Sequence, residues 1–479
     1  VGLGLGNTQK WNKSSLSVNA AYVNLAPYQV AVPQAVDWNK AYESVAGEAV
    51  YRYKFSNGTL KTYAAFDASN FSLNQEDINL PEKVRVDLKN NNLYLNSSYK
   101  GFFGSNYQIA TGASYGYSDN NIGLGTDAVK NAEHAAHLKL KITKKFSDRA
   151  SLSLGSDYFI TKFDEDFTGD SDAAFSSGYS SAIAAAYSEA DIFFSKNFAL
   201  KAGIRGSYND LLNEAAVSPR ASLAYKISDR SQFSFAYGNF IQSPRRDYLK
   251  YSDKFESEKT AHYILNYQYS KTGKTFRAEA YYKDYSDLVK YNTETFQFDS
   301  QSDNSGSGFA KGLDLFWRDN TSIKNLEYWI SYSYIDTERN YRNFPMKVTP
   351  SFAASHSLSI VTKYWVNEWR SQIGLTHSFN SGRPYNDLNQ PQFMNGRTKP
   401  YNSLGFSWAY LVSQQKILYF SASNLLGTDN IFGYRYAANP DADGQYQRQA
   451  IRQQADRFFF VGFFWTISDN KKDNQLNNL

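Results

Sequence analysis

The chain has 479 residues, with 51 Lys and Arg against 46 Asp and Glu, and its formal net charge of +5 is too balanced to point to nucleic acid. Tyr (38), Phe (34) and Trp (8) make up 17% of the sequence, far too aromatic for a disordered chain, and the absence of Cys excludes a disulfide scaffold and thiolate metal or redox sites. A mean hydropathy of −0.56 and a longest apolar run of eight residues, Phe458 to Trp465, exclude a helical membrane protein but not a membrane β-barrel, whose strands are apolar only at every second position.

Taken in chain order, the predicted elements are strands. Tyr51, Tyr53 and Phe55 alternate with Arg52 and Lys54, and Leu138, Leu140 and Ile142 with Lys139, Lys141 and Thr143. Phe198, Leu200, Ala202 and Ile204 alternate with Lys201, Gly203 and Arg205, and Phe233, Phe235 and Tyr237 with Ser234, Ala236 and Gly238. A strand sends successive side chains to opposite faces, so each segment has one greasy face and one small or charged face. Tight turns are expected near Asn12-Lys13, Ser56 to Gly58, Gly104-Ser105, Ser147-Asp148, Lys196-Asn197, Ser228-Asp229, Lys271 to Lys274, Thr321 to Lys324, Asn367-Glu368 and Gln414-Gln415. Longer polar connections are expected over residues 34–39, 77–84, 119–131, 165–176, 208–218, 245–256, 294–306, 343–350, 387–398 and 427–455. Short and long breaks alternate, giving about 21 strands with no linker or composition shift between them. A soluble propeller also has many hairpinned strands, but Ser14 to Gln29 and Thr275 to Thr293 are too long for its blades. The fold class read from the residues is therefore all-β, a transmembrane antiparallel up-and-down barrel over 1–468, followed by a polar periplasmic tail over 469–479.

The last strand, Arg457 to Ser468, would show lipid the set Phe459, Val461, Phe463, Trp465 and Ile467. Gly462, Trp465 and Ile467 resemble the C-terminal assembly signal of outer-membrane barrels, Gly-x-x-apolar-x-apolar. Ser218-Pro219-Arg220, Leu223, Tyr225 and the run from Phe235-Ala236-Tyr237-Gly238 to Gln242-Ser243-Pro244 resemble a mid-barrel hairpin of TonB-dependent outer-membrane receptors. Phe276 to Lys283, Gly308 to Asp314 and Trp329 to Tyr334 are similar to the strands that follow, and Ser381 to Tyr385 and Ser423 to Leu426 to the late hairpins. Gly4 to Thr8 and Asn24 to Tyr28 fit early strands. The resemblance implies a barrel of about 22 strands, a plug domain in the lumen and TonB as energising partner. It would leave the family's first strand and the plug upstream of Val1.

The lumen face would carry Arg52, Lys54, Lys139, Lys141, Lys201, Arg205, Lys226, Glu279 and Asp314. These make either a charged passage that anchors a plug or attracts an anionic ligand, or an ordinary water-facing interior. Arg245, Arg246, Tyr248, Arg383 and Tyr385 would sit at the extracellular mouth, where Arg and Tyr together suit flat, anionic or sugar-like ligands. The plainer reading for this group is an aromatic belt or contact with surface lipid. His134 and His137 are three apart, so on a strand they face opposite ways and cannot share a metal ion. Asp164, Glu165, Asp166, Asp170 and Asp172, and Asp441 with Asp443, are oxygen-rich outer loops that either hold Ca²⁺ or are simply solvated. No nucleophile elbow, phosphate loop or metal triad is present, so neither an enzyme nor a bound cofactor is expected. Three functions remain open: an energised importer of a siderophore, vitamin, glycan or peptide; a scaffold subunit with a surface lipoprotein; and a passive porin, which an inward-folded constriction loop would favour.

Overall fold

The computed structural model describes residues 1–32, 36–170, 174–453, 455–470 and 473–479. Its strands are β1 Gly2–Lys10, β2 Ser14–Asn24, β3 Asp37–Lys54, β4 Gly58–Gln75, β5 Val84–Phe103, β6 Tyr107–Leu124, β7 Asp127–Ser147, β8 Ala150–Thr168 and β9 Ala174–Phe193. They continue as β10 Phe198–Asn209, β11 Glu214–Ser228, β12 Ser231–Gln242, β13 Glu258–Lys271, β14 Lys274–Tyr291, β15 Ser302–Asp319, β16 Leu326–Asn340, β17 His356–Val366 and β18 Ser371–Asn380. The last are β19 Pro384–Tyr385, β20 Gly396–Arg397, β21 Tyr401–Ser413, β22 Lys416–Ser423, β23 Ile431–Tyr436, β24 Arg448–Arg452 and β25 Phe458–Trp465. Two short helices, α1 Ala26–Ala31 and α2 Arg246–Leu249, sit in connections.

One 21-stranded sheet contains β1 to β18, β21, β22 and β25, and along it each strand pairs antiparallel with its sequence neighbours. This meander has the expected strand count. β1 pairs only with β2 and β25 only with β22, so these two are its edges. Tyr28, just past β2, packs its ring 5.3 Å from that of Phe458 at the start of β25. The sheet has therefore curled until its two ends meet.

Cross-strand partners share a face, so register sorts the side chains. Leu138 lies opposite Tyr158 and Ala113, and Phe463 opposite Leu418, on a face whose large apolar groups stay open: Leu154 is 57% exposed and Val461 68%. Water would penalise such a surface, whereas lipid requires it. Towards the short-turn end this face carries a run of rings, Phe233 to Tyr267 at 4.9 Å, Tyr267 to Phe276 at 6.2 Å and Phe276 to Trp317 at 6.4 Å. Trp317 Nε1 donates to the Tyr328 hydroxyl at 3.4 Å, completing a stretch of interfacial aromatic belt.

The ten tight turns fall where the sequence places them, but several of the long connections are shorter than expected. Residues 119–131 are not a loop: β6 runs to Leu124, β7 starts at Asp127, and only Gly125 (φ +63) and Thr126 turn the chain. Polarity misled because a ladder is made by the backbone and is indifferent to hydropathy. Asn120 Nδ2 donates to Asn131 Oδ1 at 2.9 Å and Asn92 Nδ2 to Asp67 Oδ2 at 2.9 Å, so these amides satisfy one another between strands. In the same way β8 reaches Thr168, β9 starts at Ala174, β10 and β11 enclose only residues 210–213, and β15 begins at Ser302. Residues 34, 35 and 171–173 lie outside the described residues. Conversely, Ser14 to Gln29 is not one strand, since β2 stops at Asn24 and α1 follows with Pro27 in its first turn. β25 is shorter at both ends than Arg457 to Ser468. The C-terminal tail folds back, with Leu476 and Leu479 packed on a cluster of Ile417, Leu411 and Ala409 beside Phe464, and Ile417 is 0% exposed.

Candidate functional site

Register carries a single face from Arg52 through Lys61, Ser98, Gly112, Lys139, Asp157, Ala185 and Ser207. The same face continues through β11 to β15, so all nine charges expected on the lumen side share it. It is the concave one. The connection between β12 and β13 reaches Glu133, Phe163 and Glu165 on β7 and β8, all on this face, and such a contact needs a chord across the interior.

On β7 to β10 these charges form a network. Arg205 Nη1 bonds Asp157 Oδ2 at 2.6 Å, and His137 Nε2 meets Asp157 Oδ1 at 3.0 Å. Lys141 pairs with Glu189 at 3.1 Å, and Lys201 lies 3.8 Å from Glu189 and 3.7 Å from Asp191. Asp157 is 8% exposed at its side chain, so the Arg205 guanidinium and the hydrogen bond with His137 are what keep a carboxylate tolerable there. Tyr187 lies flat over Gly155, where an added Cβ would fall 2.2 Å from the ring. Glu279 faces Asp314 across β14 and β15, with Asn266 Nδ2 at 3.4 Å from Glu279, and Lys226 faces Gln232. Arg52 and Lys54 sit away from this network, opposite Lys61 and Thr59. Asp157, Glu189 and Asp191 were not singled out in the sequence, although each has the right parity to join the basic residues.

The five residues expected at the mouth do not form one site. Arg246 reaches Glu133 Oε2 at 3.1 Å and lies over the Phe163 ring at 5.4 Å; Lys250 pairs with Glu165. Arg245 pairs with its neighbour Asp247 at 2.9 Å. Tyr248 is not an open contact. It is 5% exposed, packed with Leu249, Phe255, Val289 and Phe296 in an aromatic core that joins the β12–β13 and β14–β15 connections, and burial pushes its phenol up. Short sequence distance hid this, because α2 turns Tyr248 inward while its arginine neighbours stay wet.

Arg383 and Tyr385 belong to a second cluster. Arg448 Nη1 donates to the Tyr385 hydroxyl at 2.9 Å and reaches Asp387 Oδ2 at 3.3 Å, and its guanidinium stacks 4.7 Å above Tyr434. Tyr436 donates to Asp387 Oδ1 at 2.9 Å, and its pKa is pushed up to about 12, by burial first, with Asp387 adding and Arg448 opposing. The Arg383 backbone N–H donates to Thr398 Oγ1 at 3.0 Å, anchoring the β19–β20 hairpin. The β16–β17 and β19–β20 connections also meet, with the rings of Phe344 and Phe393 5.0 Å apart. Ala438 N–H donates to Asn79 Oδ1 at 2.7 Å, carrying the loop layer on to the β4–β5 connection.

His134 and His137 do face opposite ways, His134 Nδ1 meeting the Tyr115 hydroxyl at 2.8 Å on the apolar face. Asp164, Glu165 and Asp166 lie on β8 and alternate between faces, so they cannot converge on one ion, and Asp441 Oδ1 accepts the backbone N–H groups of Asp443 and Gln445. Asp172 lies outside the described residues. Among the described residues no group of three or more His, Cys, Asp or Glu is arranged to hold a metal.

A family profile described as TonB dependent receptor-like, beta-barrel, matches residues 6–425. The chain belongs to this family. Among solved structures, the ferric yersiniabactin uptake receptor FyuA from Yersinia pestis superposes with a TM-score of 0.74 at 12% identity, over 97% of this chain and 77% of that one. The ferric-catecholate import receptor Fiu from E. coli K12 gives 0.72 at 9%, over 97% and 80%, and the siderophore receptor PiuA from Acinetobacter baumannii 0.73 at 10%, over 97% and 79%. At such identities the likeness is one of fold. No curated protein sequence matches the chain.

Proposed function

We propose that this barrel is the passage of an outer-membrane importer of a Gram-negative bacterium, filled by a plug and energised through TonB. The observation that carries this reading is the concave wall of β7 to β10, where Lys141, Lys201, Arg205, Asp157 and Glu189 present both signs of charge. A wall of this kind hydrogen-bonds a movable filling and exchanges those bonds for water when the filling shifts. Family membership supplies the partners, and FyuA, Fiu and PiuA, each named for iron-chelate or siderophore uptake, support a scarce chelate as cargo. Arg and Tyr at the mouth suit a flat or anionic ligand.

The test is affinity purification of the full-length protein from outer membranes, with mass spectrometry of bound proteins and small molecules, beside a binding assay with the periplasmic part of TonB. Energy-dependent accumulation of the recovered small molecule, lost on deleting the gene, is the expected result. Recovery of stoichiometric assembly proteins with no small ligand would instead make the barrel a scaffold subunit.

The inward fold of residues 243–257 favours a passive pore as second reading. That segment binds the outer reaches of β7 and β8, however, and so lids the mouth without narrowing the waist. Steady conductance of the full-length protein in planar bilayers, unaffected by TonB, would support the pore.

A further inference from the structure

At the short-turn end the inner face of the barrel has two opposite characters. Under β7 to β10 it is charged: Lys201 and Asp191, 3.7 Å apart, stand within three residues of the ends of their strands. β8 and β21 are eighth and nineteenth along the meander of 21 strands, so half the circumference separates them. Register carries the inner face of Asp314 through Ser333, Ser357 and Asn380 to Tyr401, and on that face the short-turn end of β17 to β25 is apolar. Its members are Trp365, Ala409, Leu411, Ile417, Tyr419 and Phe464. A lumen is ordinarily polar because water fills it, and an apolar stretch of this size on its wall is driven to find a cover.

The tail supplies that cover. Beyond β25 the chain passes the β21–β22 turn, where Gln415 Nε2 donates to the Ser468 carbonyl at 3.0 Å. Asp473 accepts from Ser468 Oγ at 3.0 Å and from Asn470 Nδ2 at 2.7 Å, which turns the chain back. Leu476 and Leu479, joined by a 3-10 turn over Leu476–Asn478, then reach the inner wall. With them in place Ile417 is 0% exposed, Ala409 2% and Leu411 8%. Both leucines keep part of their own surface open, and the ladders of β21, β22 and β25 do not include the tail. The cover is therefore separable from the sheet.

We propose that the tail is a resident stopper of the periplasmic mouth. It seals the lumen beneath β17 to β25 and leaves the charged side under β7 to β10 as the part a plug must close. Sealing follows from the contacts alone, whereas the share left to a plug rests on the importer reading. A close-packed apolar wall exchanges no hydrogen bonds with a moving filling, and the opposite wall, with Lys141, Glu189 and Lys201, does.

The test uses the full-length protein. These 479 residues contain no Cys, so Ala409→Cys is a unique reporter beneath the tail once any upstream Cys is changed to Ser. Adding Leu476→Asp with Leu479→Asp is expected to speed its labelling by a charged methanethiosulfonate at least about tenfold, with the heat-modifiable migration of the barrel retained. In planar bilayers with potassium chloride the unaltered protein should stay closed and the tail variant should conduct steadily. A bulky thiol adduct on Ala409→Cys should reduce that current. Leu476→Ser with Leu479→Ser, which adds no charge, should act in the same direction to a smaller extent. Unchanged labelling would overturn the cover, and faster labelling without conductance would overturn the stopper. Steady conductance already present in the unaltered protein would count against the plugged importer, and the labelling rates would still decide whether the tail seals its side.

Discussion

The outer half of this barrel is built in two ways. From β3 to β9 the strands run 18 to 21 residues, and β6 and β7 are joined by two residues only, so height comes from continuous ladders. From β10 to β18 they run 10 to 18 residues, and height comes from connections that pack on one another around Tyr248, Val289 and Phe296. In the first region each backbone group is satisfied by the neighbouring strand, whatever the side chains are. In the second it depends on an apolar core of few members. The two meet where Arg246 and Lys250 of the loop region grip Glu133 and Glu165 of the tall wall. The wall is thus a fixed post, and the loop layer is the part with freedom to open.

The largest effect that separates the regions should come from Val289→Asp. Val289 is 1% exposed, and an unpaired carboxylate there is expected to cost the loop core at least about 3 kcal/mol. Hydrogen exchange should then rise across residues 243–257 and 292–301 while β4 to β8 stay protected. Equal loss of protection in both regions would show that the barrel opens as one unit. Next, Arg205→Met removes the guanidinium from Asp157 and is expected to destabilise β8 to β10 by about 2–3 kcal/mol, because the hydrogen bond with His137 remains. Urea unfolding of the barrel measures it, and Arg205→Met with Asp157→Asn should recover most of the loss. A smaller effect, about 1–2 kcal/mol, is expected for Glu165→Gln, which leaves Lys250 short of its anion. Proteolysis within 243–257 should speed up several-fold with the melting of the sheet unchanged.

The same contrast explains what the sequence could disclose. Alternation of greasy and polar residues fixed the wall strands and their inner charges, because lipid on one side and water on the other impose a period of two. It stopped at Asp119 and Glu165, where both faces become polar: β6 to β8 continue past the membrane into water, and nothing in hydropathy separates such a strand from a loop. Glu165 was read as part of a loop for that reason, although extending the parity of Asp157 outward would have put it on the inner face, and the parity of Lys139 would have put Glu133 there too. Tyr248 shows the opposite failure. Its neighbours Arg245, Arg246 and Asp247 are polar, and only contact with Phe255, Val289 and Phe296, none of them near enough in sequence for a periodic signal, tells that it is core.

The smallest prediction concerns the polar loop cluster, where Tyr436 holds its proton to about pH 12 against an ordinary value of 10.0. A proton held more tightly in the folded state stabilises it fully below the ordinary value, and that contribution disappears as pH rises through the folded one. Docking of the β23–β24 hairpin on Asp387 should therefore weaken between about pH 10 and about pH 12. Subtracting the tyrosinate absorbance titration of Tyr436→Phe from that of the unaltered protein isolates this phenol, and Asp387→Asn should move its midpoint down. A midpoint near 10 in the difference curve would mean that the phenol is open to water, and that the second cluster is a solvated collection of Arg and Tyr with no closed network of its own.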